Sequence, residues 1–102
     1  MDRILALYGQ PADPDHFRAY YRETHLKLAA RLPGLRAMHH SFDVTAVGPG
    51  EGYFCVWSGE FDDAAAAAAA MASPEGQALA ADLPNYASGS VVLVQYSDAG
   101  AA

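Results

Sequence analysis

Residues 3–8, RILALY, are apolar almost without interruption, and this lack of alternation predicts a strand buried on both faces. GQPADP breaks that run. Asp13 then offers an N-cap oxygen and Pro14 a first helical residue whose missing N–H costs nothing, so a helix is expected from about Pro14. At about 100° per residue, Phe17, Tyr21, Thr24, Leu28 and Leu32 fall on one narrow stripe, with Tyr20 on one shoulder and His25 on the other, about 80° from Phe17. LPGL, residues 32–35, stops the helix with a proline and a glycine suited to its C-terminal turn.

Residues 35–47, LRAMHHSFDVTAV, lose the helical period and gain β-branched and aromatic residues, and GPGEG at 48–52 is a turn. YFCVWSGEF, residues 53–61, is the second arm of that hairpin and is apolar on both faces until Ser58 and Glu60, as in a central strand. Asp62 or Asp63 can cap the alanine-rich helix that follows, and SPEG at 73–76 starts a second helical piece with Ser73 as cap and Pro74 behind it. DLPNYASG is expected as a polar loop, SVVLVQY at 90–96 as the last strand, and SDAGAA as a frayed end. Residues 1–97 then form a single domain and 98–102 a tail.

The order βαββαβ predicts an α+β, ferredoxin-like antiparallel sheet with the helices on one face. That topology leaves one sheet face bare although the strands are apolar on both. A second copy of the same sheet is the expected cover, giving a homodimeric α+β barrel with an apolar cavity where the sheets meet.

Composition narrows the partners. The chain is 52% apolar, with a formal charge of −6 and only six Lys and Arg, too few to replace the counterions of a nucleic acid. No apolar run nears the roughly 20 residues of a membrane helix, so neither nucleic acid nor membrane is expected as a partner. The lone Cys55 makes no internal disulfide and the N-terminus lacks a signal-peptide pattern, which points to a cytoplasmic protein.

Candidate chemistry centres on His25, which periodicity places between core and surface and leaves open as a packing residue or a working one. His39 and His40, neighbours on a strand, point to opposite faces, and His16 is expected to be exposed. No HxH or HxxxH spacing and a single cysteine leave no metal site. Tyr8, Tyr20, Tyr21, Tyr53, Trp57 and Tyr86 are aromatics with a polar tip, able to line an apolar pocket and still offer a hydrogen bond. Even spacing puts Tyr53 and Trp57 on one strand face with Cys55 between them, a pocket wall toward which His25 could reach. Cys55 itself is expected to be an inert buried thiol, and Asn85 could orient a ligand or close its own turn. No Ser-His-Asp order, phosphate loop or dinucleotide fingerprint occurs.

LYGQPADPDHFRAYYRETHLKLAARLPGL and MASPEGQALAADLPNYASGSVVLV together resemble the EthD family, named from an ethyl tert-butyl ether degradation cluster. The resemblance covers nearly the whole chain and departs from it mainly in the alanine tract. It implies a dimeric α+β barrel and, by itself, little chemistry; with an acid–base residue beside an apolar, aromatic-lined interior, the expectation is a small enzyme working without cofactor or metal on a small apolar compound, aromatic or polyketide-like. The resemblance also implies an acid–base or binding role for the histidine of THLKLA, His25. Tyr8, Tyr21, Tyr53, Trp57 and Asn85 are then the expected substrate contacts, and isomerisation, cyclisation or oxygenation the expected chemistry. The alternative is a carrier that binds a hydrophobic metabolite without turnover.

Overall fold

In the computed structural model, which describes residues 1–99, one antiparallel sheet of four strands carries all the helices on a single face. The elements are β1 (Asp2–Tyr8), α1 (Pro14–Tyr20), a π turn (Tyr21–His25), α2 (Leu26–Ala29), β2 (Ala37–Ser41), β3 (Cys55–Phe61), α3 (Ala64–Ala72), α4 (Pro74–Asp82), a 3₁₀ turn (Leu83–Asn85) and β4 (Val91–Ser97). The strand order is β2-β3-β1-β4, so the ferredoxin-like βαββαβ arrangement holds.

β1 alternates between buried and half-buried positions: Asp2, Ile4, Ala6 and Tyr8 turn toward the helices, and Arg3, Leu5 and Leu7 turn away. In β3 the helix side takes Cys55, Trp57, Gly59 and Phe61. Registers Leu5↔Val94 and Leu7↔Val92 extend the far face onto β4. There Leu5, Leu7, Val56, Val92, Val94 and Tyr96 form an apolar surface over which the described residues fold nothing.

The strand expected over 35–47 is shorter, because the ladder keeps only Ala37–Ser41. Ser41 Oγ accepts from the Asp43 N–H, bending the chain. Phe42 then turns inward to stand edge-on to Phe17 and Tyr21 at 6.2 and 5.8 Å. The other arm likewise begins at Cys55 rather than 53, after the Phe54 N–H donates to Tyr8 O.

The first helix starts where the sequence places it, with the Asp13 carboxylate accepting from the His16 N–H and Pro14 next. Its regular period then breaks. The Leu26 N–H reaches back to Tyr21 O, five residues away, so each later side chain lags the position a regular helix would give it. The buried line becomes Phe17, Tyr21, His25, Ala29 and Leu32; Thr24 and Leu28, expected on it, are only half-buried. Asp63 caps α3 and Ser73 caps α4. α3 lies on β1, β3 and β4 through Ala67 and Ala70, small enough for helix and sheet to approach closely. The 82–89 segment, expected as a polar loop, instead ends α4 with the buried Asp82 and sends Tyr86 into the core. At the C-terminus Ser97 is still in β4, and the Asp98 N–H donates to Met1 O. The expected tail falls partly outside the described residues.

Candidate active site

The π turn makes His25 a buried residue. Its ring stacks on Tyr21 at 5.3 Å and 22°, while Tyr21 stacks in turn on Phe17 at 5.4 Å. Tyr86 closes the other side at 4.6 Å. Held in this way, His25 Nδ1 lies 2.9 Å from Asp82 Oδ2.

Asp82 arrives from the end of α4, fifty-seven residues along the chain. Its Oδ1 accepts from the Tyr20 hydroxyl at 2.6 Å and from Asn85 Nδ2 at 2.9 Å. His16 steadies the same turn through its ring nitrogen and Asn85 O, 2.9 Å apart. Burial acts to raise the Asp82 carboxyl, but the donors from Tyr20, Asn85 and His25 outweigh it and hold the group below the ordinary carboxylate range. His25 moves below its ordinary value too, because burial disfavours the imidazolium more than Asp82, already engaged by other donors, can favour it. The result is an ionised Asp82 accepting the Nδ1 proton of a neutral His25. Nε2 carries the lone pair and, among the described residues, has no hydrogen-bond partner.

Between the helices and the sheet, His25 lines a hollow with Tyr8, Tyr21, Trp57, Leu79 and Leu93 among its walls. The hollow spans about 480 Å³ including its open mouth and leaves about 50 Å³ of room for a guest. The cavity was expected where two sheets meet; this one lies inside a single subunit, on the covered side of the sheet. Tyr8, Tyr21 and Trp57 share its wall with His25. Tyr53 does not: it lies off the sheet, in a separate hollow with Gly9, Gln10, Glu51 and Ser90. Asn85 stands behind the site and contacts Asp82 and Tyr20.

Sequence reasoning missed Asp82, and treated Tyr20 and Tyr86 only as two aromatics among several. The signal available was slight, an acidic residue at a helix end before LPNY, and nothing local ties it to position 25. Tyr8 and Tyr86 share a hydrogen bond at 2.8 Å. Burial pushes the Cys55 thiol up to about 12, which keeps it protonated and unreactive. Of the strand histidines, His40 turns toward the helices beside Tyr21 and Phe42, while His39 pairs across with Ser58 on the other face. Among the described residues no three His, Cys, Asp or Glu side chains gather as metal ligands would, and no helix is long and apolar enough to cross a membrane.

The EthD domain matches residues 9–90. An uncharacterized 11.0 kDa protein encoded in the thcB–thcC intergenic region of Rhodococcus erythropolis is 33% identical over 94 residues, 92% of this chain and 91% of that protein. The crystal structure of an EthD family protein from Bacillus halodurans C-125 superposes with a TM-score of 0.85 at 28% identity, over 96% of this chain and 98% of that one. At the level of fold alone, two further structures are similar. One is a dimeric ferredoxin-like protein of unknown function from Thermobifida fusca (TM-score 0.68, 23% identity, 94% and 89% covered). The other is SnoaB, a cofactor-independent oxygenase from Streptomyces nogalater (TM-score 0.62, 16% identity, 98% and 93% covered).

Proposed function

The chain belongs to the EthD family, and from that premise we propose that it is a small-molecule enzyme in which His25 moves a proton on an apolar compound held between sheet and helices. The observation that carries this reading is the disposition of His25: Nδ1 tied to a buried carboxylate, Nε2 without a partner among the described residues in the wall of an apolar hollow. A neutral imidazole fixed in that tautomer is a general base, and the ionised Asp82 stabilises the imidazolium formed when it takes a proton. Isomerisation and cyclisation need proton transfer alone. An oxygen-dependent reaction, chemistry of the kind named for SnoaB, would open with the same deprotonation.

The working form in this proposal is a homodimer, supported by the apolar sheet face and by the dimeric description of the Thermobifida protein. The almost wholly apolar lining favours one second reading, a carrier that binds without turnover.

His25→Asn separates the two. Asparagine keeps an N–H for Asp82 and removes the base, so exchange of solvent deuterium into a panel of small carbon acids should fall about 100-fold or more while binding persists. Exchange undiminished in the variant would sink the base assignment; tight binding by the wild type with no exchange on any compound would favour the carrier.

A further inference from the structure

With a regular helical period, Tyr20 and His25 fall on opposite shoulders of the buried stripe, five residues and about 140° apart. The π turn closes that angle. Because the Leu26 N–H bonds to Tyr21 O, side chains five apart come round toward the same side, and Tyr20 and His25 both reach one carboxylate on α4. The Tyr20 hydroxyl donates to Asp82 Oδ1 at 2.6 Å, and His25 Nδ1 meets Oδ2 at 2.9 Å.

Oδ1 takes a second donor. Asn85 Nδ2 reaches it at 2.9 Å and also donates to the Tyr20 oxygen at 3.2 Å, so the three side chains hold one another. The Tyr20 ring stacks on Tyr86 at 5.7 Å and 17°, which keeps the hydroxyl in place. Its bond to Asp82 pushes that hydroxyl above its ordinary value, so it remains a donor.

Among the described residues, Asp82 is the single charged group acting on His25. Tyr21 from the π turn, Tyr8 from β1 and Tyr86 after the 3₁₀ turn are raised by burial and stay neutral, and Trp57 from β3 does not titrate. The lining from α2, α3 and β4 is apolar, and His40 on β2 stands against Tyr21, 6.0 Å between ring centres.

We propose that Tyr20 is a positioning residue for His25: together with Asn85 it fixes Oδ1 of Asp82, leaves Oδ2 alone for Nδ1, and takes a share of the carboxylate's charge that His25 would otherwise draw. Donors on one carboxylate draw on the same negative charge, so three of them favour the imidazolium less than one would. Tyr20 is not among the walls of the hollow, and its effect runs through Asp82. This deepens the reading of His25 as a base and rests on it for the chemistry, since an imidazole kept neutral holds its Nε2 lone pair ready at neutral pH.

Tyr20→Phe keeps the stacked ring and removes the hydroxyl. The four histidines give four Cε1–H signals in a ¹H–¹³C spectrum, and the one missing from His25→Asn belongs to His25. Its titration midpoint should rise by about half a unit or more in Tyr20→Phe, because Asp82 with one donor fewer favours the imidazolium more. Asn85→Ala should move it in the same direction, and His39, on the other face of the sheet, should not respond to either change. The acid limb of deuterium exchange into the carbon acids should move up with the His25 midpoint. An unchanged or lowered midpoint in Tyr20→Phe overturns the proposal; if that variant does not fold, the same outcomes in Asn85→Ala decide. A raised midpoint with no exchange on any compound would uphold the role of Tyr20 and remove the base, whereas exchange whose acid limb stays put in Tyr20→Phe would do the reverse.

Discussion

A neutral His25 beside an ionised Asp82 gives the site a pH dependence of one sign. The base form exists above the folded-state pKa, which burial holds below the ordinary value of about 6.5. Turnover should therefore be full at neutral pH, and kcat/KM should fall on the acid side only, with an apparent pKa below that of free histidine. Stability should follow the same direction. Because the folded state resists protonating His25, the unfolded chain binds more protons from about pH 6.5 downward, and stability drops as pH falls through that window. The depressed Asp82 pKa adds a second loss further down, below its own ordinary range. Urea midpoints measured against pH should show the upper step in the wild type and lack it in His25→Asn; a step unchanged in the variant would assign it to another group. Single residues were only partly legible in the sequence. His25, Tyr8, Tyr21 and Trp57 stand out as polar-tipped groups among apolar ones, and the structure brings all four to one wall. Asp82 did not stand out, because a contact across fifty-seven residues leaves no local period. Tyr53 was paired with Trp57 on the assumption that the strand reached it, and it does not.

At the scale of elements, caps and breakers were the readable part, because each acts within a few residues: Asp13-Pro14, Asp63 and Ser73-Pro74 all sit where their side chains and rings require. What could not be read locally was the π turn, since nothing in YRETH forbids a regular helix. The surrounding aromatic cluster carries its physical cause: a helix that keeps Phe17, Tyr21, His25 and Ala29 all against the sheet needs four residues per turn, more than a regular helix supplies. The junction of α3 and α4 makes a sharper claim. A Cβ on Gly76 would lie 2.4 Å from Ala70 O and from Met71 O, and backbone cannot swing aside as a side chain can. Gly76→Ala should therefore destabilise the fold by about 1–2 kcal/mol despite alanine's better helix propensity, a fall in Tm of about 5–10 °C. An unchanged or higher Tm in calorimetry would mean that the two helices part easily.

For the whole molecule, topology followed from element order, and one property of the strands followed from composition: they are apolar on both faces, yet the helices cover only one. Leu5, Leu7, Val56, Val92, Val94 and Tyr96 make the uncovered face an apolar sheet surface, with Arg3 and Glu60 paired at one end. A monomer would leave that surface in water, whereas a second sheet laid against it would bury it without disturbing the cavity, which lies on the opposite side of the sheet. Val94 tests the arrangement. It is 41% exposed in the single chain, so Val94→Asp should barely change folding if the face stays bare. If two sheets meet there, two carboxylates would be buried near the two-fold axis without partners, and the dimer should weaken by several kcal/mol, about 100-fold or more in Kd. Light scattering should then give a dimer for the wild type and a monomer for the variant at the same micromolar concentration. Deuterium exchange into the small carbon acids should survive in the variant, because each cavity is built within one chain; its loss together with the dimer would show that the sheet, braced by its copy, sets the shape of the site on its other face.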